Sequence, residues 1–191
     1  MNRLLPMTLI LLLLVVFRIV GSAFPESIPN FQPLAALFFC GAIMAKGWKG
    51  WAIPLAAWLV TYPAPAILQG NASYLTAGVL ITTALAFAVI FFIGKSLSGR
   101  DTGVLLLGSV GAAIAFHLVT NGAAWMFSPL YPKSPLGLWQ SLWMGPVGSP
   151  IPSWIFLRNM VGANLLFTTI FLSARFAIPQ FSANSEPVTA R

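Results

Sequence analysis

Apolar positions in this chain fall into long runs separated by short polar or proline-rich stretches, a pattern of elements hydrophobic on every side. The first run, Leu4 to about Val20 behind Arg3, is long enough to cross a hydrocarbon core of about 30 Å. A competing pattern is a cleaved signal peptide ending at Gly21-Ser22-Ala23, which Arg18, sitting between the run and that site, argues against. The second run, 32–46, has Pro33 suited to a first helical turn and Asn30 or Gln32 suited to its cap. The third, 51–68, holds Pro54, Pro63 and Pro65, which predicts a break or kink near its far end. Both are short. They read as two thin spans joined by a tight turn at 46–50, with a re-entrant pair as the alternative. Runs 75–94 and 104–126 are clear spans on either side of a polar turn at 95–101, and 154–176 is the last. Between the last two, 135–144 opens at Ser134-Pro135 and carries Trp139 and Trp143 four apart, which predicts a short amphipathic helix at a membrane surface. The segment 178–191 has too little apolar content to build a core and reads as a disordered tail.

The predicted architecture is therefore all-α: a single polytopic membrane domain over 1–177 with six transmembrane helices. Composition agrees, since the 191 residues are 58% hydrophobic and 7% charged, with a mean hydropathy of +0.87. The net charge of +7 would suggest nucleic acid in a soluble domain, but the basic residues are scattered singly. Their placement is topological instead. With both termini cytoplasmic, Arg3, Lys46, Lys49, Lys95, Arg100, Arg175 and Arg191 lie inside, and Arg18, Lys133 and Arg158 lie outside, as the positive-inside rule prefers. This assigns the protein to the inner (plasma) membrane.

Several chemistries drop out. The only carboxylates are Glu26, Asp101 and Glu186, none inside an apolar run, which disfavours proton-coupled carriers and hard-metal sites. One cysteine, Cys40, allows no disulfide framework and is expected to pack. No glycine-rich phosphate loop is present, so nucleotide-driven work would need another polypeptide. No internal repeat of the kind found in rocking carriers is visible. No metal and no cofactor is expected, and an intramembrane enzyme built on His117 lacks a carboxylate or nucleophile beside the imidazole.

What remains is recognition. His117, Asn121 and Trp125 follow one another at i+4 and share a helical face. Asn121 either offers its amide to a ligand or makes an interhelical bond, to Asn164 or Thr120, and His117 either joins it or simply packs. Trp125 and Tyr131 can stack on a flat ring or belong to an interfacial belt. Trp139 belongs to a lid or an anchor. Lys133 and the Arg158-Asn159 pair can neutralise an anionic group, or serve as a loop charge and a snorkelling arginine. Arg18 and Glu26 can pair across the first outer loop.

The stretches NFQPLAA (30–36), FHLVTNGAAW (116–125) and LYPKSPLGLW (130–139) resemble those of an uncharacterised bacterial membrane family that is similar to the substrate-binding (S) components of energy-coupling factor (ECF) transporters. The resemblance covers about 15–176. It implies an ECF S-component-like bundle that captures a small-molecule substrate on the outer side, with Asn30 among the candidate contacts. It also implies partners: a transmembrane coupling protein and ATPases. S components dock through small residues in their first helix, whereas Leu4–Val16 contains no alanine, so the protein can equally work alone or with a different partner. The expected pocket lies among the outer ends of the first, fifth and sixth spans and the loops 20–33 and 127–153. The alternative is a non-transporting structural or assembly protein.

Overall fold

A computed structural model describes residues 5–45 and 47–177; the expected tail, Arg3, Lys46 and Arg191 lie outside them. Helices are the only regular elements among the described residues, with no strands. The helices are α1 (Leu5–Ala23), α2 (Leu34–Met44), α3 (Lys49–Thr61), α4 (Ala64–Gln69), α5 (Ala77–Ser96), α6 (Thr102–Phe127), α7 (Pro135–Trp143) and α8 (Ser153–Ala177), with a 3-10 turn at Ala72–Leu75. Among them, four stretches are long and apolar enough to cross a membrane: Lys49–Gln69, Ala77–Ser96, Thr102–Phe127 and Ser153–Ala174.

The fold is organised by a short apolar helix, α2. α2 is 11 residues long and apolar on every side, so it can satisfy its surface only by being surrounded. Leu34, Ala35, Ala36, Phe38, Phe39 and Cys40 are all buried, and α2 packs on α3, α5 and α8 while α6 closes the ring against α5 and α8. Cys40 packs, as its apolar surroundings predict. Close approach is made possible by glycine. A Cβ on Gly50 would lie 2.9 Å from the Gly41 carbonyl oxygen, and one on Gly94 would lie 2.6 Å from that of Phe39. Substituting either forces α2 away from its neighbour.

Eleven residues of helix rise only about 16 Å, roughly half of a bilayer core. The chain before α2 fills part of the remainder as an irregular loop, 24–33, and the rest stays open. This is the physical origin of the cavity described below. Two breaks shape its rim. α3 stops at Thr61 and α4 restarts at Ala64, around Pro63, which is the kink that the prolines predict. α6 ends at Phe127, where Ser128-Pro129 cannot continue it.

Candidate functional site

A cavity of about 440 Å³ lies above the start of α2 and is walled by the C-terminal ends of α1, α4 and α6, the start of α5 and the loops 24–33 and 149–151. Its deep side is aromatic. Phe87 of α5 lies 5.3 Å from the Trp58 ring and 5.3 Å from the Phe116 ring, and stacks on Phe38 at 4.4 Å with 10° between planes. Trp58, Phe87 and Phe116 line the cavity; Phe38 supports Phe87 from behind. Four different helices supply these rings, and the planes of the lining pairs are inclined by 75° for Trp58–Phe87 and 44° for Phe87–Phe116.

The upper wall is polar. Arg18 donates through Nη1 to Gln32 Oε1, Gln32 donates through Nε2 to Asn30 Oδ1 at 2.8 Å, and Asn30 donates through Nδ2 to Met160 Sδ at 3.4 Å. Asn30 adopts a left-handed backbone, φ 58°, which its short amide side chain tolerates better than most. That conformation turns the chain from the loop into α2 and brings residues 30 and 32 beside α1. On the next side, Ser22 donates to the Arg18 carbonyl at 2.8 Å and Gln69 to the Ser22 carbonyl at 3.0 Å, tying α4 to α1.

A second cavity of about 340 Å³ shares Asn30, Phe116, Thr120, Ser149, Ile151 and Phe156 with the first, so the two are adjoining parts of one opening. Its own walls add His117 and Asn121. His117 is buried, and its Nε2 donates to the Leu142 carbonyl at 2.9 Å. Nδ1 is then the acceptor for Asn121 Nδ2 at 3.1 Å. Asn121 Nδ2 also donates to the His117 carbonyl at 3.0 Å, which leaves the Asn121 carbonyl as the group free of bonds among the described residues.

The family of unknown function DUF6580 matches residues 1–185, nearly the whole chain. The chain belongs to DUF6580. No curated protein and no solved structure matches it.

In this DUF6580 chain the residues singled out by the sequence fall into two groups. Asn30, His117 and Asn121 line the opening. Trp125, Tyr131, Lys133, Trp139, Arg158 and Asn159 do not line either cavity. Trp125 donates through its indole to the Pro132 carbonyl at 2.9 Å. Lys133 donates to the carbonyls of Trp125 and, at 2.6 Å, Ser128. Its ammonium thus covers the exposed carbonyls at the end of α6, where a positive charge is favourable. Tyr131 is buried beneath this turn, and burial pushes its phenol above its ordinary range. α7 occupies the predicted amphipathic segment, with Trp139 and Trp143 exposed and 5.5 Å apart. Arg158 is exposed, lies 5.5 Å over the Trp154 ring and bonds Asn159 Oδ1, while Asn159 Nδ2 reaches the Pro29 carbonyl at 3.0 Å. Asn164 bonds the Ser109 carbonyl at 3.0 Å, not Asn121. Arg18 bonds Gln32, not Glu26.

Among the polar residues missed were Arg18, as a cavity residue, its partner Gln32, and Thr120 and Ser149, which line both cavities. The signal available for the first two was Arg18 itself, a guanidinium at the end of an apolar helix and one loop away from NFQP.

Lys133→Met is expected to lower stability by about 0.5–1 kcal/mol, the scale of a cation at a helix C-terminus. The check is a melting curve in detergent. A loss of solute binding at unchanged stability would instead place Lys133 against the solute.

Proposed function

We propose that this protein is the solute-binding component of an uptake system in the bacterial inner membrane, capturing a small molecule from the outer side. In this reading α1, α2, α3 with α4, α5, α6 and α8 make six crossings, α2 being thin, in an ECF S-component-like bundle. The observation that carries it is the double cavity at one end of the helices, combining an aromatic floor with a polar wall, the usual make-up of a small-molecule site. Lys49, Lys95 and Arg100 stand at the opposite end of the helices, so the positive-inside rule turns the mouth outward and both termini inward. Energy would come from a separate coupling protein and ATPases, if such a module docks.

One observation favours the structural alternative: both N–H groups of Asn121 are spent on His117, and His117 in turn holds α7 through Leu142. That face ties helices together. It also lines the second cavity, so the two roles coexist there.

The test is purification of the tagged protein from its native membrane in mild detergent, followed by mass spectrometry of co-purifying proteins and small molecules. A near-stoichiometric metabolite, or a coupling protein with an ATPase pair, supports uptake. A homogeneous protein carrying neither supports the structural alternative.

A further inference from the structure

Arg18 is half-buried on the wall of the aromatic-floored cavity, and the way it is held indicates what it can bind. The donors of its relay all run away from it, from guanidinium to Gln32 to Asn30 to the Met160 thioether. The relay fixes the guanidinium in place and offers it no negative charge. Among the described residues, Nη1 is the only guanidinium nitrogen with a hydrogen-bond partner, and Nε is buried with none. Nη2, which is neither bonded nor among the buried atoms, is the nitrogen that a ligand anion can reach. A charge removed from water without a partner is costly, and a ligand anion offsets that cost. Glu26, the acid on the same wall, is exposed and is not the guanidinium's partner.

We infer that the cavity takes a ring acid: an aromatic or heteroaromatic ring packed among the inclined rings of Phe87, Trp58 and Phe116, with one carboxylate on Nη2 of Arg18. This rests on reading the cavity as a solute site. The charge is single because Arg18 is the one arginine or lysine on the described walls of either cavity, and Glu26 at the rim disfavours a second negative charge. A phosphate monoester, close to dianionic at neutral pH, suits the site less well.

The test compares 2-naphthoate with 2-naphthamide, a pair alike in ring and size and different in charge, by tryptophan fluorescence titration of the protein in phosphatidylcholine nanodiscs. The acid is expected to bind about tenfold or more tightly than the amide, the scale of a charge-assisted bond. Arg18→Gln is expected to level the two, and Arg18→Lys to retain part of the preference. The wild-type comparison needs no variant, so it stands even where a substitution unfolds the protein. Equal binding of acid and amide, or saturable binding of neither, overturns the inference. An acid preference that disappears when phosphatidylglycerol replaces phosphatidylcholine also overturns it, assigning Arg18 to a lipid headgroup. Recovery of an uncharged metabolite from the native membrane would overturn the acid and leave the solute site standing; recovery of none at all would count against the site itself.

Discussion

Replacing Phe87 with alanine is expected to cost more stability than any other single truncation along the cavity. Phe87 is 2% exposed and touches aromatic rings from α2, α3 and α6 at once, so no neighbour can collapse into the space it leaves. A buried Phe→Ala change in a soluble core costs about 3–5 kcal/mol. Part of that is transfer from water, which weakens where the alternative environment is lipid, so the packing and cavity terms set the expectation here at about 2–3 kcal/mol. Phe87→Leu, closer in volume, is expected to cost less than about 1.5 kcal/mol. Denaturant or thermal unfolding in a fixed detergent compares the three proteins. An alanine variant within about 0.5 kcal/mol of wild type would mean that the four-helix aromatic floor is not a packed unit.

The largest functional effect is expected from Thr120→Trp. Thr120 is half-buried on α6 and lines both cavities, and its hydroxyl donates only to carbonyls of its own helix, Phe116 at 2.9 Å and His117 at 3.3 Å. No tertiary bond is lost when it is replaced. An indole there enters open space, so stability is expected to stay within about 1 kcal/mol, without the penalty that overpacking a filled core brings. Solute binding is expected to fall about 100-fold, equivalent to roughly 2.7 kcal/mol. Thr120→Val keeps the shape and is expected to bind normally. Titration of the recovered solute against the three proteins decides it, and unchanged affinity in the tryptophan variant would place binding elsewhere.

Much of the helical order was legible in the run-lengths, because a membrane helix must satisfy its backbone internally and be apolar around its whole circumference. The kink at Pro63 and the amphipathic α7 were legible for local reasons: proline removes a donor, and two tryptophans at i+4 share a face. The thinness of α2 was visible as a short run. Its consequence was not, since a short helix makes a cavity only if its taller neighbours stand around it.

The site was legible where it is local. His117 and Asn121 meet because i and i+4 always do, and the spacing alone placed them on one face. Arg18, Gln32, Asn30 and Met160 come from three separate parts of the chain, and nothing in their spacing announces the relay. Phe87 sits in an unbroken apolar run, where one ring that floors a cavity reads like any other. The residue types of LYPK suggest an anion and ring site, and the structure places it in the turn that follows α6. Lys133 faces helix carbonyls, a role that a motif cannot distinguish from ligand binding.

The proposed uptake role requires that the double cavity open to the outer face of the membrane and admit solute. Its most direct measurement is labelling of a Ser149→Cys variant with a membrane-impermeant maleimide, on intact spheroplasts and on inverted vesicles. Ser149 lines both cavities, and the single native cysteine, Cys40, is buried and gives little background. Rapid labelling from the outer side alone, slowed by the solute recovered from native membranes, is the predicted result. Labelling only in inverted vesicles, or from neither side, would contradict it.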